Sequence, residues 1–273
     1  MDYSELAIPT VFISMEDVGI DGFLMSSVAG TDLVARTAFE TGWWSFERPL
    51  PAIFVRCAQH WQGCVLDIGS NTGFYSLLSM AAGPENRVVA FEPDPHVREI
   101  LIKNAALNVF SNRIIIEPLA LSDMTGSTTL FVPEKGHGLV ESSSSLEAGF
   151  KGVHSEEITV AVSRLDDYLP HGTKVTLVKI DVEGHERSAV AGALRVLAEA
   201  RPIIAIELLD DADYEFFNKL KNDLGYRSVA LQHDQAVEEV VMAFDPLAWN
   251  HALVPEEKWD DFQNILKKLG LVP

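Results

Sequence analysis

Four short apolar runs in the middle of the chain each reach an acidic residue at their far end: Val65-Leu66-Asp67, Val88-Val89-Ala90-Phe91-Glu92, Val175 to Asp181 and Ile203 to Glu207. Runs of this length without alternation suit strands covered on both faces. The segment after the second run and that between the last two carry helical spacing. Val97, Ile100, Leu101 and Ala105 fall on one face, as do Ala189, Val190, Ala193, Leu194 and Leu197. Strands alternating with helices predict a parallel, doubly wound α/β sheet. In such sheets ligands bind beyond the carboxyl ends of the strands, and there the chain places Asp67, Glu92, Asp181 and Glu207.

The first run continues into Gly69-Ser70-Asn71-Thr72-Gly73-Phe74-Tyr75-Ser76. Glycine lets the backbone turn sharply and lets a ligand approach without meeting a Cβ. The stretch reads as strand, turn and helix start. It does not fit the dinucleotide fingerprint, which needs glycines where Asn71 and Phe74 stand. A nicotinamide-dependent oxidoreductase is therefore the weaker enzyme reading, and a catalytically inactive binding protein on the same fold is the non-enzyme alternative.

The rest of the chain reads less evenly. Residues 47–60 are expected to be helical. Strands are expected near Val11 to Ile13, Ile114 to Ile116, Thr128 to Val132, Glu157 to Val162, Tyr226 to Leu231, Val237 to Phe244 and Trp249 to Val254. The Gly/Ser-rich stretch 134–155 is expected to be a loop over the substrate. Asp210, Asp211 and Asp213 suit a helix N-terminus. In a closing helix Phe262, Ile265, Leu266 and Leu269 point inward.

Composition narrows the partners. The formal charge of −19 argues against binding a phosphate backbone or an anionic membrane surface. Cys57 and Cys64 match neither a metal pair nor a redox pair, and point to reduced thiols in the cytoplasm.

Asp67-x-Gly69-x-x-x-Gly73 resembles the first motif of S-adenosylmethionine-dependent methyltransferases. The likeness sharpens with Asp67 to Ser76, Phe91 to Pro95, Ala120 to Asp123 and Val178 to Glu186, which together resemble the FkbM family. Gly42-Trp43-Trp44 and Glu47 fall at a spacing similar to that family's upstream helix start. The resemblance implies a Rossmann-like, mostly parallel seven-stranded sheet with a hairpin and loop added between strands three and four. The resemblance covers roughly residues 40–255. The expected organisation is a class I methyltransferase domain over 47–273, with an inserted loop at 124–163, and an N-terminal extension over 1–46, most of it outside the resemblance, that could cap the substrate.

The resemblance further implies S-adenosylmethionine as cofactor, held by Asp67, Gly69, Asn71, Gly73, Tyr75, Ser76, Glu92, Pro93, Ser122, Asp123 and Asp181. Glu92 would accept from the ribose hydroxyls, and Asp123 would lie near the adenine. His185, Asp181 and Glu183 are the candidates for proton acceptor or acceptor-orienting group, in an O-methylation of a sugar or secondary metabolite. Histidine titrates near neutral pH, which suits it to that work. The structural alternative for His185 is packing or capping of the helix it precedes. Mg²⁺ on Asp181, Glu183, His185 and Glu207 is a further alternative and is not the favoured one.

Overall fold

The computed structural model describes residues 10–28, 30–133, 144–148 and 154–272. The chain opens with a hairpin of β1 (Thr10–Met15) and β2 (Ile20–Ser26), followed by α1 (Leu33–Thr41) and α2 (Leu50–His60). Then come β3 (Cys64–Ile68), α3 (Phe74–Ala82), β4 (Arg87–Phe91), α4 (Pro95–Ala106), β5 (Ile114–Glu117), β6 (Leu119–Leu121), β7 (Gly126–Pro133) and β8 (His154–Ser163). The second half holds α5 (Leu165–Tyr168), β9 (Val175–Ile180), α6 (Glu186–Ala191), α7 (Leu194–Ala200), β10 (Ile203–Glu207) and α8 (Tyr214–Leu224). It closes with β11 (Tyr226–Gln232), β12 (Gln235–Glu239), β13 (Asn250–Pro255) and α9 (Trp259–Lys268).

The main sheet has the order β12-β11-β13-β10-β9-β3-β4-β5. Strands β10, β9, β3, β4 and β5 run parallel, while β13, β11 and β12 pair antiparallel at one side. Strands β10, β9, β3 and β4 are buried on both faces, as their unbroken apolar runs require, whereas the edge strand β5 leaves Ile115 exposed. One core lies under α2, α3 and α9 and the other under α6, α7 and α8. The order reverses beside β3, where β4 lies on one side and β9 on the other, and this opens a crevice at the carboxyl ends of these strands.

Three features depart from the sequence reading. The sheet has eight strands rather than seven among the described residues, because β12 adds to the outer edge of β11. That strand ends at Glu239 instead of continuing to Phe244. Val240 and Val241 lie exposed beyond it, and the Val240 carbonyl accepts from buried Lys221 at 2.7 Å. The helix expected through Ala189 to Leu197 is two short helices, α6 and α7, which break at Gly192. A Cβ on Gly192 would stand 1.9 Å from the Ser122 carbonyl oxygen, so the glycine allows a close approach of two chain segments that helical spacing does not report.

Between β5 and β9, β7 and β8 form an antiparallel pair that β6 extends as a parallel third strand. β6 carries no signal of its own, being only three residues long. Of the loop expected over the substrate, residues 134–143 and 149–153 lie outside the described residues, and 144–148 can be placed. The segment ahead of β3 is built into the domain. Asn108 bonds the backbone N–H and C=O of Leu24 at 2.8 and 2.9 Å. Asn104 accepts from Ser26 at 2.7 Å and donates to the Thr72 carbonyl at 2.7 Å, tying the hairpin to the glycine turn.

Candidate active site

The turn after β3 is shaped by three positive-φ residues: Gly69 (76°), Asn71 (52°) and Gly73 (95°). A Cβ on Gly69 would stand 1.8 Å from the Asp181 carbonyl oxygen. The glycine therefore brings the ends of β3 and β9 together. Gly73 caps α3 from behind, and a Cβ there would meet Leu101 at 2.3 Å. Neither the first nor the last of these glycines could carry a side chain without displacing its neighbour.

Two pockets open on either side of this turn. The narrower, about 70 Å³, lies toward β4. Its walls are apolar, with Ile68, Phe91, Val97, Leu121, Leu130 and Leu146, and it also takes Gly69, Asn71, Glu92, Pro93, Asp181, Glu183 and His185. The Glu92 carboxylate is buried and accepts from the amides of Asn71 and Asp94 at 2.8 and 2.9 Å. Each oxygen keeps a second lone pair for a hydroxyl donor. Burial pushes its pKa up to about 7, against the pull of those two amides. An acid at the end of a strand, faced by apolar walls, suits a nucleoside with a ribose diol.

The wider pocket, about 290 Å³, lies on the other side of the turn. It is lined by Glu47, Asp67, Ser70, Tyr75, Lys179, Asp181, Glu183 and Glu207, with an apolar wall of Leu33, Val34, Phe46, Leu209 and Trp249. Asp67 accepts from Ser76 Oγ at 2.6 Å, and burial raises its pKa to about 6. Tyr75 donates to Glu47 at 2.7 Å. Burial and the nearby Asp181 charge raise Glu207 to about 9, so it carries a proton at neutral pH. The Ser70 hydroxyl is buried at the wall of this pocket and has no hydrogen-bond partner among the described residues. A buried orphan hydroxyl costs free energy unless a ligand satisfies it.

Gly69, Asn71, Asp181 and Glu183 line both pockets, so the two form one groove across the turn. The turn residue Glu183 has a φ of 53°, a strained value for a residue with a side chain. Of these two pockets, His185 lines the narrow one. Its Nδ1 lies 2.7 Å from Glu147 Oε1 and its Nε2 lies 3.0 Å from Ser122 Oγ. Ser122 in turn lies 3.2 Å from Asp123 Oδ1. Of the other residues singled out in the sequence, Pro93 lines the narrow pocket and Tyr75 the wide one. Gly73, Ser76, Ser122 and Asp123 line neither. Trp43 is core, its indole donating to Asp17 at 2.9 Å. Asp213 caps α8 by accepting from Phe216 at 3.0 Å, the helix start expected for that acidic run.

Lys179 is the residue that the sequence reading passed over. It sits inside β9 among apolar residues, 1% exposed, with its ammonium 3.1 Å from Asp181 Oδ2. A lysine inside a buried strand is rare enough to be a signal. Strand periodicity puts it on the same face as Asp181. Among the described residues, no group of three His, Cys, Asp or Glu side chains converges as a metal-holding set. Of the four residues weighed for Mg²⁺, His185 is turned to the narrow pocket, and the Lys179 ammonium stands against Asp181.

The doubly wound sheet, its glycine turn and the buried acid beyond β4 fit the Rossmann-like class. The family model for the methyltransferase FkbM domain matches residues 67–245, and the chain belongs to that family of S-adenosylmethionine-dependent methyltransferases. Methyltransferase 1 of Beauveria bassiana is 25% identical over 193 residues, which cover 65% of this chain and 78% of that protein. Methyltransferase sdnD of Sordaria araneosa is 28% identical over 155 residues, covering 47% of this chain and 59% of that protein. The crystal structure of methyltransferase FkbM from Methylobacillus flagellatus KT superposes with a TM-score of 0.45 at 15% identity, covering 81% of this chain and 64% of that one. The chain thus spans less than two thirds of the last two proteins. No helix among the described residues is long and apolar enough to cross a membrane.

Proposed function

We propose that this enzyme methylates a hydroxyl on a small molecule, a sugar or secondary metabolite, held in the wide acidic pocket, with Asp181 as the proton acceptor. The observation that carries the reading is the position of Asp181. It lies at the carboxyl end of β9 and lines both pockets, so it stands where a cofactor on one side of the turn meets an acceptor on the other.

S-adenosylmethionine supplies a methyl group on a sulfonium, a strong leaving group. The chain must therefore orient the acceptor and take its proton. The narrow pocket would hold the nucleoside, with Glu92 on the ribose hydroxyls. The turn and the orphan Ser70 hydroxyl would hold the amino-acid end. Asp181, charged, would accept the hydroxyl proton. Glu207, protonated, would donate a hydrogen bond that orients the acceptor oxygen. Glu183 would frame the junction from its strained turn. His185, with both ring nitrogens engaged on the nucleoside side, is better placed to order the cofactor end than to reach the acceptor.

The N-terminal segment 1–46 would serve as part of the substrate wall, since Leu33 and Val34 of α1 and the adjoining Phe46 line the wide pocket. A carboxylate-rich pocket in a chain of charge −19 disfavours a nucleic-acid acceptor and an anionic membrane surface. The unpaired Cys57 and Cys64 agree with a cytoplasmic location.

The test is release of S-adenosylhomocysteine from S-adenosylmethionine against a panel of hydroxylated sugars and natural products. The same panel is run with the hydroxyls already methylated, alongside amines and RNA. Turnover confined to free hydroxyls is the expected result, with Asp181→Asn about 100-fold slower or worse and cofactor affinity by calorimetry held within a few fold. Turnover on amines or RNA alone would sink the hydroxyl reading, and full activity of Asp181→Asn would remove Asp181 from the proton transfer.

A further inference from the structure

The wide pocket holds one buried cation among its acids. Lys179 Nζ lies 3.1 Å from Asp181 Oδ2, 4.0 Å from Glu47 Oε2 and 3.4 Å from Asn250 Oδ1, and its ammonium stands 5.2 Å from the centre of the Tyr75 ring. An ammonium that is 1% exposed has lost nearly all its water, and such a charge persists only when paired and hydrogen-bonded. The pairing is uneven. Asp181 is the nearest carboxylate and keeps 24% exposure toward the pocket, whereas Lys179 itself cannot reach an acceptor in open solvent.

We propose that Lys179 is a positioning residue that acts through Asp181, fixing that carboxylate at the junction of the two pockets. The proposal rests on the reading of Asp181 as proton acceptor. Three observations support it. Lys179 and Asp181 lie two residues apart at the end of one strand, so their side chains share a face and the ion pair is fixed by β9 itself. Asn250 on β13 and the Tyr75 ring on α3 hold the ammonium from other directions, which leaves it little freedom to follow a moving partner. Glu47, which shares the ammonium, occupies a left-handed backbone conformation, φ 52°, and is bonded to Tyr75. Strain of this kind is kept where surrounding structure enforces it.

The charged and titratable groups facing Lys179 are Asp181 beyond β9, Glu47 ahead of α2, Asp67 on β3, Tyr75 on α3 and Glu207 on β10. Burial alone would pull the ammonium's pKa down, yet Asp181, Glu47 and Glu207 together lift it above its ordinary value, so Lys179 stays charged throughout the working range. A fixed ammonium 3.1 Å away holds the carboxylate by a charge-assisted hydrogen bond, and removing it should leave Asp181 free to turn away from the junction.

The experiment compares wild type, Lys179→Met, Lys179→Arg, Asp181→Asn and the double variant Lys179→Met with Asp181→Asn, on whichever hydroxyl acceptor the panel identifies. Lys179→Met should lower kcat about 10- to 100-fold, with KM for the acceptor and calorimetric affinity for S-adenosylmethionine each within about threefold. Lys179→Arg, which keeps the charge and guards against misfolding of the methionine variant, should restore kcat in part. In the Asp181→Asn background Lys179→Met should cost little more, because residues that act as one unit are not additive. Equal losses of kcat in the two backgrounds overturn the proposal, as does a loss carried by KM or by cofactor affinity. Failure of the underlying reading shows separately, as full turnover of Asp181→Asn.

Discussion

Glu92 shows how far a single residue can be argued. Its place at a strand end was legible because β4 is a short apolar run that stops on it. Its chemistry was not, because burial and the two amides that bond it come from the fold. With its pKa near 7, the free enzyme holds a partly protonated carboxyl at neutral pH. Hydroxyl donors favour the ionised form. Cofactor binding should therefore tighten as pH rises from about 6 to about 8 and release a proton, which calorimetry in buffers of different ionisation heat would measure. Glu92→Gln should remove both the proton release and the pH dependence, and weaken binding about 10-fold or more through the loss of charge-assisted hydrogen bonds. An affinity flat across this range would show that Glu92 does not meet the ribose. Lys179 marks the opposite case: the sequence displays it openly inside a buried strand, yet only the fold brings Asn250 of β13 and Tyr75 of α3 to its ammonium.

Among the elements, the short segment 144–148 is the one that ties the wall of the narrow pocket to distant parts of the chain. Ser145 pairs with Phe131 of β7 through two backbone bonds, at 2.8 and 3.0 Å. Its hydroxyl donates to the Glu183 carbonyl at 2.6 Å, and Ser144 donates to Asp94 at 2.9 Å. Glu147 meets His185 at 2.7 Å. Ser144 and Leu146 thereby wall the narrow pocket on its outer side. The sequence reading saw a polar loop here; that it straps the turn after β9 depends on contacts 38 residues apart in the chain. The double variant Ser145→Ala with Glu147→Ala should accelerate cofactor association and dissociation together, each about 5-fold or more if two such bonds are lost, with a smaller change in Kd. Stopped-flow fluorescence would follow both rates. Unchanged rates would mean that the segment does not gate the nucleoside side.

At the scale of the whole molecule the carboxylates dominate. Burial is the first cause lifting Asp67 to about 6, Glu92 and Glu186 to about 7 and Glu207 to about 9. In the unfolded chain all of them titrate near 4. Between these values the native state binds more protons than the unfolded one, so stability falls as pH rises. The charge of −19 acts in the same direction through self-repulsion. The Arg201 pairing that holds Glu257 down to about 2 adds nothing across this window, because that acid is ionised in both states above pH 5 or so. Urea midpoints of the cofactor-free enzyme should therefore be higher near pH 5.5 than near pH 9, with the difference reduced by salt. A midpoint that rises with pH would show that these acids are ionised and satisfied in the native state.

The sequence by itself determined the parts that follow from local pattern. Apolar runs and helical spacing specified alternating strands and helices, glycine at 69 and 73 specified a sharp turn after the first core strand, and the motifs around them specified the family. The tertiary structure decided what depends on distant segments. It added β12 as an eighth strand and divided α6 from α7 at the Ser122 contact. It turned His185 toward Glu147 and Ser122, and gathered Glu47, Asp181 and Glu207 around Lys179. The physical reason is that strand and turn preferences act within a few residues, whereas the charge state and partners of a buried side chain are set by whatever the sheet order places beside it.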